Sequence, residues 1–260
     1  MGRVADKELV MRRRIGRLWG IAVAIAMPAL LMPVDAGAII GGELDGSKHP
    51  NVGLIVALDQ KGNLLDACTG TLISQTVVLT AAHCLAPGVQ YKVSFKSTLD
   101  LSGNNNRFIG VAAIHGNSRY DVGVLVLARS ANKVYPGIKP ALLPARGALD
   151  NYRTKTPDPY FTHVGYGVDR LAPPPDLIHF TRRTSTSPLK KVTNTLLYTQ
   201  PGAHGEGSIC SGDSGGPVFS ERVVVALGNF VNGHCQGANG GPRLDIEPTR
   251  RFLRTYVTVP

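Results

Sequence analysis

From residue 39 onward the chain alternates short apolar runs with clusters of turn residues. VGLIVAL (52–58), GTLISQTVVLTAA (70–82), YKVSF (91–95), RFIGVAAIH (107–115), DVGVLVLA (121–128), FTHVGYG (161–167) and RVVVALGNFV (222–231) read as strands, being short and rich in β-branched residues. LSGNNN (101–106) and LAPPPD (171–176) read as loops between them. Only DIEPTRRFLRTYV (245–257) has helical spacing. Pro248 suits a first turn, Phe252, Leu253 and Tyr256 share a face, and Arg250, Arg251 and Arg254 are expected in solvent. Many strands without alternating helices predict an all-β barrel or sandwich, not βαβ units. The 30 glycines and 18 prolines among 260 residues agree with so many turns.

The start of the chain follows a different rule. A basic head, an apolar run from Leu18 to Met32 and the small residues Ala36-Gly37-Ala38 have the layout of a secretory signal. The run is broken by Pro28 and is short for a bilayer span of about 20 residues. We therefore expect residues 1–38 to be a signal peptide, with cleavage after Ala38 preferred over Ala36 and no membrane anchor afterwards. Translation start at Met1 or Met11, and Sec or twin-arginine export, both stay open. The remainder, 39–260, is expected to divide near residue 145.

Composition changes this picture little. Apolar content of 43% and charged content of 18% are those of a globular protein. Residues 1–38 hold six basic and three acidic side chains, so the rest keeps 22 and 15, a net +7. That favours anionic surroundings without naming a partner. No Lys/Arg stripe is interleaved with aromatics, which argues against nucleic acid.

An exported chain with Cys68, Cys84, Cys210 and Cys235 is expected to form two disulfides out of three possible pairings. The local pairs, Cys68–Cys84 and Cys210–Cys235, would each be worth about 3 kcal/mol in the chain-entropy model. No close C-x-x-C pair exists to suggest zinc. His49, His115, His163, His179, His204 and His234 lack ligand spacing, so no metal and no cofactor is expected.

Three stretches carry chemistry. In CSGDSGGPVF (210–219), Ser214 lies between Asp213 and two glycines, whose lack of Cβ lets backbone amides crowd an incoming carbonyl. A serine needs a base to take its proton, and LTAAHC (79–84) supplies His83. SRYDVGVLVL (118–127) supplies Asp121 at the head of a buried strand, where an acid needs a partner such as His83.

IIGG (39–42), CTGTLI (68–73), VLTAAHC (78–84), DVGVLVL (121–127), VGYG (164–167) and GDSGGP (212–217) together resemble the chymotrypsin/trypsin-like serine proteases. The resemblance implies two packed six-stranded antiparallel β-barrels with a C-terminal helix, and a secreted, monomeric, bacterial-type enzyme acting on peptide or protein substrates. It implies Ser214 as nucleophile, His83 as general base and acid, and Asp121 as orienting carboxylate. The N–H groups of Gly212 and Ser214 would form the oxyanion hole, and the local disulfides are also those of the family. A new amine at Ile39 would fold inward onto Asp213. Relatives carry a basic residue before that cut, whereas this chain has Ala38, so signal peptidase is expected to expose Ile39 with no zymogen stage.

The substrate pocket follows from the same resemblance. Ser208 stands at its base, where tryptic relatives have Asp, so a cationic side chain would lack a partner there. Asn229, Phe230 and Val231 align with the wall that binds substrate backbone, and Arg243 with the opposite wall. A small aliphatic residue, or an acidic one if Arg243 points inward, is expected at the cleaved bond; a solvated Arg243 is the alternative. Two other readings compete. GDSGG also fits the nucleophile elbow of α/β-hydrolases, but the order His83, Asp121, Ser214 differs from theirs. The other is a catalytically silent binding or adhesion protein on the same scaffold, which would usually lack one of the three residues.

Overall fold

The computed structural model describes residues 39, 42–152, 159–167, 179–201, 207–229, 235 and 237–260. The expected signal peptide and the LAPPPD loop lie outside them. Fifteen strands are described: β1 (Glu43–Leu44), β2 (Val52–Leu58), β3 (Leu64–Ser74), β4 (Val77–Thr80), β5 (Gln90–Ser94), β6 (Thr98–Asp100), β7 (Ile109–Asn117) and β8 (Val122–Leu127) come first. β9 (Tyr160–Gly165), β10 (His179–Thr181), β11 (Arg183–Val192), β12 (Leu196–Thr199), β13 (Gly216–Ser220), β14 (Val223–Gly228) and β15 (Asn239–Pro242) follow. The helices are a single turn, α1 (Ala131–Val134), and the terminal α2 (Glu247–Arg254).

β2, β3, β4, β8, β7 and β5 close into one antiparallel barrel. A second sheet runs β14-β13-β9-β11-β12-β15, with β1 paired to β11. Its two end strands meet at the Ala226↔Arg243 bridge, so it too is a six-stranded antiparallel barrel, nearly closed. The fold is therefore all-β with a terminal helix, as the resemblance implies.

The first barrel explains why its strands read as unbroken apolar runs. Ile55, Leu72, Val78, Val93 and Leu125 pack together on one side. Their neighbours Leu54, Val56, Ile73 and Leu79 pack with Val164, Tyr166, Phe219 and Leu227 of the second barrel. Both faces are buried, so alternation disappears. Leu253 of α2 joins this shared core, and Tyr256 stacks on His115 of β7. Arg250, expected in solvent, is instead buried, with Nη1 donating to Pro144 O at 2.6 Å, so this side of the helix meets the segment around Pro144.

A buried polar network ties the halves. Arg182 donates to Asp45 at 2.7 Å and to Val52 O and Phe95 O of the first barrel. Tyr166 donates to Lys96 O at 2.8 Å. No helix among the described residues is long and apolar enough to cross a membrane.

Candidate active site

After Thr80 the chain leaves β4 through an extended Ala81 and makes one 3-10 turn, Ala82–Cys84, that carries His83. The Cys68–Cys84 disulfide fastens this turn to β3. Asp121 precedes β8 in the left-handed region at φ 51°, a conformation unusual for a residue with a Cβ. Its carboxylate accepts the His83 backbone N–H at Oδ1 (2.9 Å) and faces His83 Nδ1 with Oδ2 (2.8 Å). A carboxylate only accepts, so the proton sits on Nδ1 and the neutral ring offers Nε2 as its acceptor.

Asn229, just beyond β14, grips the same group. Its Nδ2 donates to Asp121 Oδ2 at 2.7 Å and to Asp121 O at 2.9 Å. The hydrogen bond to Asp121 raises the His83 pKa above 6.5, against a smaller opposing effect of burial. Burial alone would raise Asp121, but the hydrogen bonds from His83 and Asn229 outweigh it and bring its pKa down. Both side chains stay accessible, at 46% for His83 and 36% for Asp121.

The Ser214 loop is shaped by its neighbour. Asp213 is buried and accepts the N–H groups of Cys210 (2.8 Å), Gly167 (2.7 Å) and Ile39 (3.3 Å). A Cβ at Gly165 or Gly167 would fall 2.0 or 2.5 Å from its oxygens, so the two glycines of VGYG make room for this acid. Burial pushes the Asp213 carboxyl up to about 6, while the three N–H donors oppose the shift. In the unbroken chain the Ile39 nitrogen is a peptide N–H; it stands where an α-ammonium would stand after cleavage. Ile39 itself is buried.

Ser214 O accepts the Thr69 N–H of β3 at 3.0 Å and lies 3.6 Å from Cys84 Sγ. The serine main chain is thus anchored to the strand and the turn that hold His83. The Thr69 hydroxyl donates to Gly212 O at 2.8 Å and accepts the Tyr166 N–H at 3.0 Å. Gly212 takes φ 94°, open to glycine alone at little cost. Among the described residues the N–H groups of Gly212 and Ser214 have no acceptor.

The expected pocket residues part company. Ser208 is buried, its hydroxyl donating to Asn239 Oδ1 at 2.8 Å. The Asn229 amide supports Asp121, and the residue also lines a cavity of about 440 Å³ beside it with Tyr120, Leu196 and Pro242. Phe230 and Val231 lie outside the described residues. Arg243 corrects both readings offered for it. It is 1% exposed, with bonds to Asp245, Asp150 and Thr193 O occupying all three guanidinium nitrogens; neither substrate nor solvent meets it. Asp150 is 93 residues away in sequence, and Asp245, two residues on, carries no sign in the sequence of which way the guanidinium turns. Sequence reasoning also missed Thr69 and Asn239, although Thr69 stands inside the quoted CTGTLI.

Cys210–Cys235 is the second disulfide. Among the described residues no three His, Cys, Asp or Glu gather as a metal set. His49 pairs with Asp45, and His163 is buried on Thr199 with its pKa lowered to about 4 by burial. His204 and His234 lie outside the described residues.

A family model described as Trypsin matches residues 40–247. The chain is 26% identical over 232 residues to trypsin, alkaline B, of Manduca sexta, covering 82% of this chain and 89% of that one. It is 28% identical to serine protease SP24D of Anopheles gambiae, covering 80% and 77%. Neutrophil elastase of Mus musculus is 26% identical, covering 85% and 83%. These relatives are animal proteins and lend no support to a bacterial type. Among solved structures, HL collagenase superposes with a TM-score of 0.63 at 19% identity, over 85% of this chain and 97% of that one. Human heparin binding protein gives 0.60 at 19%, over 85% and 99%; at such identity these two report the fold.

Proposed function

Because the chain belongs to the trypsin family and so is a serine endopeptidase, we propose that it cleaves protein substrates through an acyl-enzyme formed on Ser214. His83 Nε2 removes the hydroxyl proton as the oxygen attacks the carbonyl carbon, then returns it to the leaving amine. Asp121 keeps the Nδ1 tautomer and balances the imidazolium. The N–H groups of Gly212 and Ser214 receive the oxyanion, where one donor is worth about 10²–10³ in rate in a comparable enzyme. Water then repeats the sequence on the acyl ester. The observation that carries this reading is the 2.8 Å His83–Asp121 bond on a turn that also abuts the Ser214 main chain.

The neutral Ser208 at the pocket base disfavours Lys or Arg at the cleaved bond. We further propose that removal of 1–38 during export frees Ile39, whose ammonium then balances the buried Asp213. A fluorophosphonate probe separates catalysis from the silent-scaffold alternative. Folded protein starting at Ile39 should be labelled at Ser214, and His83→Ala should abolish labelling. Folded, correctly processed protein that stays unlabelled would favour the scaffold reading.

A further inference from the structure

The first barrel closes weakly at one seam. β5 and β7 are paired only at Lys92↔Gly110 and Val93↔Ile109. Beyond those pairs the register of β7 on β8 shifts between Val111 and Ala113. Such a bulge bends its strand away from a neighbour. The opened seam is a groove of about 410 Å³ between Val89–Lys92 and Gly110–Ile114. A second groove of about 560 Å³ is lined by Ala82, Leu85, Val89, Ile114, Gly116 and Ser118, among others. The two share Val89 and Ile114, and Ala82 adjoins His83. One trough therefore runs from the base of the candidate triad to the seam.

Its chemistry is selective. Among the described residues, Lys92 is the single charged side chain lining either part, and it is exposed. Exposed Arg129 follows Ala128, whose N–H donates to Gly110 O at 2.8 Å, so a second cation flanks the seam end. The other lining side chains are uncharged, Gln90, Tyr91 and Ser118 among apolar ones. Strand banks left unpaired offer backbone groups to an added extended chain.

We propose that this trough is an exosite for an extended, acidic stretch of the polypeptide substrate, laid along the β5–β7 seam and recognised by Lys92. This rests on the proteolytic reading above. Six steps along the strand separate Gly116, which lies against Ala82 of the His83 turn, from Gly110; at about 3.3 Å each that is roughly 20 Å, so the acidic stretch lies at least about six residues from the cleaved bond.

The test uses enzyme processed to Ile39, a small activated ester, and peptides sharing one scissile bond. The peptides carry a Glu or a Gln tract on either flank. On one flank the Glu peptide should be cleaved with a kcat/KM about fivefold above the Gln peptide, the scale of an exposed ion pair. Lys92→Glu should reverse that preference, and N-methylation of the flank backbone should remove it, while ester turnover is unchanged in the variant. Equal rates for Glu and Gln peptides on both flanks, or a Lys92→Glu enzyme with the native preference, would overturn the exosite. A preference that survives N-methylation would overturn the laid-strand geometry. Ester left intact by the native enzyme would instead sink the proteolytic reading. The exosite is then judged by fluorescence anisotropy of a labelled Glu-tract peptide, where no difference between native and Lys92→Glu protein overturns it.

Discussion

Asp121 occupies a backbone region that costs a residue with a Cβ about 1–2 kcal/mol, and it remains partly open to water. Asn229 helps hold it there through two donors, one to the carboxylate and one to the carbonyl. That bond also draws charge from the carboxylate facing His83. Asn229→Ala should therefore lower kcat/KM about tenfold, the range of a hydrogen bond to a charged group discounted for exposure, with kcat falling more than KM rises. The base must be neutral to act, and the His83 pKa already lies above 6.5. Removing the Asn229 donor leaves Asp121 a stronger acceptor, so the acid limb of the pH–rate profile should move further up. Asn229→Ser, which keeps a donor, should recover part of both effects; an unmoved limb in Asn229→Ala would show the amide acting on packing alone. At this scale the motifs announced His83, Asp121, Ser214 and Asp213. They did not announce Asn229 as a support, because an amide's target depends on which chain segment faces it.

The same division holds for elements. Strand β2 was legible because every position from Val52 to Ala57 is buried. The run 70–82 reads as one strand yet is two, β3 and β4, which part at the polar Ser74-Gln75-Thr76 between two apolar runs. β11 was not legible at all. Its Thr184, Ser185 and Ser187 are buried and donate to His163 O and Gly207 O, so a polar sequence is buried by bonds no periodicity reports. NGGP has no apolar pattern to mark a strand but forms β15, where a Cβ at Gly241 would fall 1.7 Å from Leu227 O. The Cys68–Cys84 bridge joins residues 16 apart and should contribute about 3 kcal/mol. Replacing both cysteines by Ser should lower the unfolding free energy by that order in denaturant titration. It should also reduce kcat, because the His83 turn loses its tether.

For the whole molecule, the proposed release of Ile39 would couple chain processing to the Ser214 loop through the buried Asp213. A free Ile39 amine has a reference pKa of about 7.7–8.0, and pairing with Asp213 raises it. Its stabilisation is then complete below the reference value and fades as pH rises through the higher folded value. Activity should show an alkaline loss with that origin, and acetylating the Ile39 amine should impose the same loss at neutral pH. Active enzyme with a blocked terminus would refute the coupling.

By itself the sequence determined the residue types of the chemistry, their order along the chain and the all-β class. Those depend on local composition and on spacing, which a linear reading reports directly. Tertiary structure decided which polar groups meet: Asn229 with Asp121, Thr69 with Gly212, Arg243 with Asp150 and Asp245, and the seam that Ala112 opens. Asn229 with Asp121, Thr69 with Gly212 and Arg243 with Asp150 join segments distant in sequence, and burial makes an unpartnered polar group costly, so the closed barrels select those partners.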